Sequence, residues 1–140
     1  MKRATVVEQA WFPGVHSDVG GGYAETGLSD ITLQWMMDRV SQAGLVFGES
    51  LLQKNPLHPE PLMEPMHVSR RGLYRLTPGF DRPIGLSAPK EGGLPSPDAE
   101  SDATQSIHPS VLERWDQDSN YRPDNLREYF RRVGDGRAGA

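Results

Sequence analysis

The chain has 140 residues, a formal net charge of −4 and no cysteine. That length allows one small domain or part of one. The acidic balance argues against a nucleic-acid partner, and the missing thiols exclude disulfides and thiolate metal sites.

Hydrophobic residues make up only 36% of the sequence, with twelve prolines and fifteen glycines clustered in the middle and at the end. Globular chains usually reach about 45–50% apolar with glycine counted. A compact N-terminal part with a loosely built remainder is expected. Met1-Lys2-Arg3 leads into no apolar signal core, so Sec-type export has no support and a cytoplasmic location in the producing cell is expected. No stretch approaches the ~18–20 apolar residues of a membrane span.

Residues 5–12 read as a strand. Val6, Ala10 and Phe12 share one parity, and Val7, Gln9 and Trp11 the other. Large apolar groups on both faces suit a strand covered on both sides by helices, with Glu8 the exception. Pro13-Gly14 ends it. A loop with Gly20-Gly21-Gly22 follows, where glycine permits positive φ and close backbone approach. Ser29 or Asp30 then caps a helix over about 30–43. Leu33, Met36, Met37 and Val40 fall on its i, i+3, i+4, i+7 stripe, with Ile31 and Trp35 widening the apolar face. Gly44 fits the left-handed position just past the end.

Residues 46–53 hold another helical turn or two. Beyond them Pro56, Pro59, Pro61 and Pro65 force extended backbone. A short strand or stray turn is read at 71–77. The span 78–106 reads as a long, disordered surface excursion. A short helix is expected from Pro109 or Ser110 to about Trp115, a frayed one over 126–133, and a disordered tail over 134–140. The domain division is thus 1–53, a strand, loop and helix; 54–106, irregular; 107–133, short helices; and 134–140, the tail.

The chemistry concentrates at one place. His16 lies on a glycine-rich loop between a strand and a helix. Imidazole there can take a proton from a serine hydroxyl and return it to a leaving group. Asp18 could be a metal ligand, a helper to His16 or a brace for its own loop. Bracing is preferred, because Asp near glycine bonds local backbone. Ser17 is rejected as a nucleophile, since no Gly-x-Ser-x-Gly occurs anywhere; a loop hydrogen bond is expected of it. Gly20 and Gly21, with Gly22, match neither a dinucleotide nor a Walker pattern. No cofactor is expected. His58, His67 and His108 show no ligand spacing, so no metal is expected either. His58 and His67 read as solvated, and His108 as packing against or capping a short helix. Arg70-Arg71 and Arg131-Arg132 are too few for a nucleic-acid patch and read as ordinary solvated charges, or one of them as a contact for a phosphate headgroup. Trp11, Trp35 and Tyr23 read as core, and Trp115 as the pin for the C-terminal segment.

The run Trp11-Phe12-Pro13-Gly14-Val15-His16-Ser17-Asp18-Val19-Gly20-Gly21-Gly22-Tyr23, followed by Leu28-Ser29-Asp30-Ile31-Thr32-Leu33-Gln34-Trp35-Met36, resembles an α/β-hydrolase family. That family supplies the catalytic domain of type VI secretion phospholipase effectors of the Tle type. Ile107-His108-Pro109-Ser110-Val111 and Tyr121-Arg122-Pro123-Asp124-Asn125-Leu126 resemble its later signature more loosely. The likeness covers about 5–50 and 105–127. It implies an α/β fold of which this chain is the C-terminal segment: last strand, histidine loop and amphipathic helix. It also implies a Ser-His-Asp esterase acting on phospholipid, with the histidine at His16. The family's serine elbow and triad acid have no counterpart here, so the chain alone is expected to be inactive. Its partners would be a missing N-terminal half or a secretion component, and type VI delivery would apply to a full-length parent. Two rivals remain: a non-catalytic remnant that binds a hydrolase homologue or secretion component, and a metal-dependent hydrolase using His16 and Asp18.

Overall fold

A computed structural model describes residues 5–60, 65–68, 81–87 and 99–139. In chain order the elements are β1 (Gln9–Trp11), α1 (His16–Gly20), α2 (Gly27–Gln42), α3 (Glu49–Lys54), β2 (Gln105–Ile107), α4 (Pro109–Gln117), α5 (Asp124–Val133) and a closing 3-10 turn (Gly136–Gly139). The strand-or-turn expected at 71–77 and the Arg70-Arg71 pair lie outside the described residues. None of the helices among the described residues is long and apolar enough to cross a membrane.

β1 and β2 form a two-stranded parallel sheet in the register Gln9↔Gln105, Ala10↔Ser106, Trp11↔Ile107. The strand expected over 5–12 shortens because its ladder partner is only three residues long. Val6 and Val7 are 86% and 58% exposed, so the helical cover expected on both faces is missing at that end among the described residues.

The side chain of Gln105 knits this sheet to the excursion. Its Oε1 accepts from Trp11 Nε1 and from the Gly85 N–H, both at 2.9 Å. Its Nε2 donates to the Leu86 carbonyl at 3.0 Å and to Asp102 Oδ2 at 3.1 Å. An amide offers two donors and two acceptor sites, and all four are used. Hydrogen bonds from Thr104 and Gln105 hold the Asp102 carboxyl below the usual carboxylate range. The disordered excursion expected over 78–106 is therefore corrected in its described parts. Ile84 and Leu86 are buried, and Leu86 bridges Ser101 in antiparallel fashion. Polar side chains, rather than apolar periodicity, order this stretch.

The main core lies where α4 and α5 meet, built from Ile84, Val111, Trp115, Tyr121, Leu126 and Phe130. On α5, Leu126, Tyr129, Phe130 and Val133 fall at helical spacing. Leu126 and Phe130 are each 1% exposed, so the helix is pinned rather than frayed. Burial pushes the Tyr121 hydroxyl up to about 12. The Arg122 guanidinium lies over the Trp115 ring at 4.3 Å and donates to the carbonyls of Trp115 and Asp118. It thereby satisfies orphan carbonyls at the end of α4. The expected disordered tail is also corrected. Gly134 adopts a left-handed conformation that closes α5. Arg137 then forks onto Asp116 at 2.8 and 3.0 Å, and Ala138 packs against the core.

α2 starts earlier than its sequence pattern indicates. Thr26, not Ser29 or Asp30, is the residue before its first turn. The packed face also differs from the expected stripe. Leu28 and Ile31 are buried, and Trp35 meets Phe12 edge-on at 5.6 Å, whereas Leu33 and Met36 are 47% and 48% exposed. Phe12 turns its face to His108 at 4.6 Å and so joins the N-terminal half to the start of α4. His108 caps that helix through Nδ1, which accepts from the Ser110 N–H.

Two outcomes test this packing. Trp115→Ala should cost about 3–5 kcal/mol of unfolding free energy in a urea titration. Burial, then the nearby Arg39 charge, lowers the proton affinity of His108 below its ordinary value. The unfolded chain therefore binds the extra proton first on acidification. The stabilisation is complete above the ordinary histidine value of about 6.5 and is lost as pH falls through the depressed folded one. The urea midpoint should accordingly drop more steeply from about pH 7.5 to about pH 5.5 in the natural chain than in His108→Asn, which keeps a capping oxygen without a titrating ring.

Candidate functional site

The site grows from the turn after β1. Pro13 is fully buried, and Gly14 takes φ +110, a conformation other residues rarely adopt. Gly14 is required for space as well. A Cβ there would stand 2.5 Å from Asp18 Cβ. The chain then enters α1, whose N-cap, Val15, has no side-chain oxygen to offer. Asp18, three residues on, reaches back instead. Its Oδ2 accepts from the Val15 N–H at 2.9 Å, the reciprocal half of a capping box. Gly21 and Gly22 take φ +79 and +152 and turn the chain towards α2, while Gly20 stays helical as the last residue of α1.

His16 is the first residue of α1 and is exposed. Among the described residues its ring has no hydrogen-bond partner, so it stands open to whatever approaches the loop. Ser17 is half-buried, and its hydroxyl makes no hydrogen bond among the described residues, contrary to the expected loop bond. Its Cβ lies 3.4 Å from where a Gly22 Cβ would be.

Asp18 is 4% exposed, and a buried carboxylate needs donors. Beyond Val15 it finds both from His67. The His67 backbone N–H donates to Oδ2 at 3.2 Å, and ring Nδ1 meets Oδ1 at 2.7 Å. A carboxylate offers only acceptors, so Nδ1 carries the hydrogen. The ring also stacks on Tyr23 at 3.6 Å with 17° between planes. Its Nε2 is 3.7 Å from Glu25 Oε2, too far for a hydrogen bond. The expectation of a solvated His67 is thus corrected. His58, by contrast, keeps an exposed side chain, while its N–H donates to Asp30 Oδ2 at 2.8 Å.

Asp30 and Asp18 act alike. Both are buried, and each captures a backbone N–H from the proline-rich stretch that follows α3. Prolines remove donors from that stretch; among the described residues the His58 and His67 N–H groups go to carboxylates and the Glu60 N–H to the Gly27 carbonyl at 3.1 Å. Sequence reasoning missed His67 because nothing around it is periodic. The available signal was Asp18 itself, an acid in a tight glycine turn that had to find partners.

Beside the loop lies a cavity of about 250 Å³, walled by Trp11, Phe12, Val15, Val111 and Leu126, with His67 at its edge. Among the described residues no three His, Asp or Glu side chains converge as metal ligands.

Residues 1–39 match the family model described as T6SS, phospholipase effector Tle1-like, catalytic domain. The match contains the whole histidine loop and most of α2, and does not reach 105–127. Over 44 residues the chain is also 46% identical to Uncharacterized protein YEL023C of Saccharomyces cerevisiae, an alignment covering 28% of this chain and 6% of the yeast protein. No solved structure matches. The N-terminal segment is therefore similar to a phospholipase-effector catalytic domain.

Because Gly14 is fixed by both φ and the Asp18 side chain, Gly14→Ala should destabilise the fold by about 1–3 kcal/mol. A chemical denaturation midpoint reads this directly.

Proposed function

We propose that this chain carries the general-base segment of a serine esterase acting on phospholipid acyl esters, built on an α/β-hydrolase sheet whose histidine loop is residues 12–23. The carrying observation is that His16, inside the matched segment, stands exposed at the start of α1, directly after the turn that ends β1. In that role the His16 imidazole takes the proton from a serine hydroxyl as its oxygen attacks the ester carbonyl. The imidazolium gives the proton to the departing alcohol, and a water repeats the sequence to release the fatty acid. The apolar wall of Trp11, Phe12 and Val15 beside the loop is consistent with an aliphatic substrate.

The nucleophile belongs to sequence outside these residues, since no Gly-x-Ser-x-Gly occurs within them. Full activity, and any type VI delivery, belongs to the assembly that contains the serine. A second reading, a non-catalytic interaction module, draws support from the exposed Val6, Val7, Leu33 and Met36.

The test is ester hydrolysis on phosphatidylglycerol vesicles, by the chain alone and after mixing with the product of the reading frame immediately upstream. No turnover is expected alone, and turnover is expected on mixing. His16→Ala should reduce that turnover by at least about 10³-fold, yet leave stability within about 0.5 kcal/mol, as for an exposed residue without side-chain bonds. Turnover by the chain alone, or full activity in His16→Ala, contradicts the proposal.

A further inference from the structure

We infer, resting on the esterase reading for its purpose, that His67 is a positioning residue for His16, tying both ends of the histidine loop to a segment 49 residues downstream of Asp18. His16 has no side-chain partner of its own among the described residues, so its ring is only as well placed as the backbone beneath it. That backbone is held by a closed turn. Asp18 and Val19 donate their N–H groups to the Val15 carbonyl at 2.9 and 3.0 Å, and the Val15 N–H returns to Asp18 Oδ2 at 2.9 Å. Of these three bonds the one made to a side chain runs through the Asp18 carboxylate, and His67 orients that carboxylate. Nδ1 fixes Oδ1 at 2.7 Å, leaving Oδ2 to accept from the Val15 N–H at 2.9 Å and the His67 N–H at 3.2 Å.

The downstream end is tied by the same ring. Tyr23 follows the two positive-φ glycines Gly21 and Gly22, which by themselves leave the chain free to swing. Its ring lies parallel to His67 at 3.6 Å. A flat ring that donates in its plane and stacks on its face does both jobs at once. The His67 side chain is 18% exposed and that of Asp18 2%, so the bond between them is largely sheltered from competing water.

An Asp–His couple is also how a catalytic base is oriented, so His67 could be mistaken for the base itself. The geometry favours positioning. Tyr23 covers one face of the ring, Nε2 is directed at the Glu25 carboxylate 3.7 Å away, and among the described residues no hydroxyl hydrogen-bonds to it.

The test uses nitrogen-15 NMR on the full chain. In the natural protein the His67 ring should show hydrogen on Nδ1, and the Val15 amide should be protected from exchange. His67→Phe keeps a ring for Tyr23 but removes the donor. It should speed Val15 amide exchange about tenfold or more and shift the His16 ring signals, while leaving the Trp115 indole signal in place. His67→Asn, which offers an N–H near the position of Nδ1, should restore Val15 protection. In the mixed esterase assay, His67→Phe should lower kcat about tenfold with KM unchanged, and His67→Asn should recover it. Unchanged Val15 exchange in His67→Phe overturns the inference. If that variant does not fold, hydrogen on Nε2 with a bare Nδ1 in the natural chain overturns it. Activity lost in both variants, with Val15 still protected in His67→Asn, makes His67 the base and overturns it too. A tether present without any esterase activity upholds the positioning contact and removes the hydrolase reading alone.

Discussion

The burial of the Asp18 carboxylate constrains the whole histidine loop. A charged group removed from water must be met by donors, and here three arrive from two places in the chain. The Val15 N–H fixes where α1 begins and therefore where His16 emerges. The His67 ring and N–H bring a remote segment against the loop. Gly14 exists as glycine because the Asp18 side chain occupies the space its Cβ would need. Remove the carboxylate and none of these features has a reason to be where it is.

The same chemistry recurs through the molecule, which is poor in apolar residues and rich in proline. Asp30 repeats the role of Asp18 at the start of α2, holding Thr26 and the His58 N–H. Gln105 repeats it with an uncharged amide, joining β1, β2 and the 84–86 turn. Arg122 closes α4 and Arg137 binds the closing turn to α4. Hydrophobic burial concentrates around Trp115 and Phe130, where two short helices and a few loop residues share one cluster. Elsewhere, satisfied polar groups order chain that its apolar content could not.

In the role proposed for it His16 must reach a nucleophile, and the loop presents its ring outward while Asp18 is locked inward. Exposure of the His16 ring and burial of the carboxylate beneath it are complementary. The ring stays available to an incoming group, and the carboxylate beneath it is shielded from water that would loosen the turn. The unpaired apolar residues on α2 and before β1 lie on the same N-terminal half as this loop.

The sequence by itself determined the local pieces. Pro13-Gly14 ended the strand, the glycine run turned the chain, and His108-Pro109 opened a helix. These follow from backbone freedom and short-range periodicity, which any window of a dozen residues displays. It also marked His16 and Asp18 as the chemically distinctive pair. Only the tertiary structure decided that Asp18 turns to His67 and not to His16, that β1 pairs with a strand over ninety residues away, and which face of α2 is covered. Those choices depend on which distant donors reach a buried acceptor. A polar contact of that kind leaves no period in the sequence, because one well-placed hydrogen bond needs a single residue at each end.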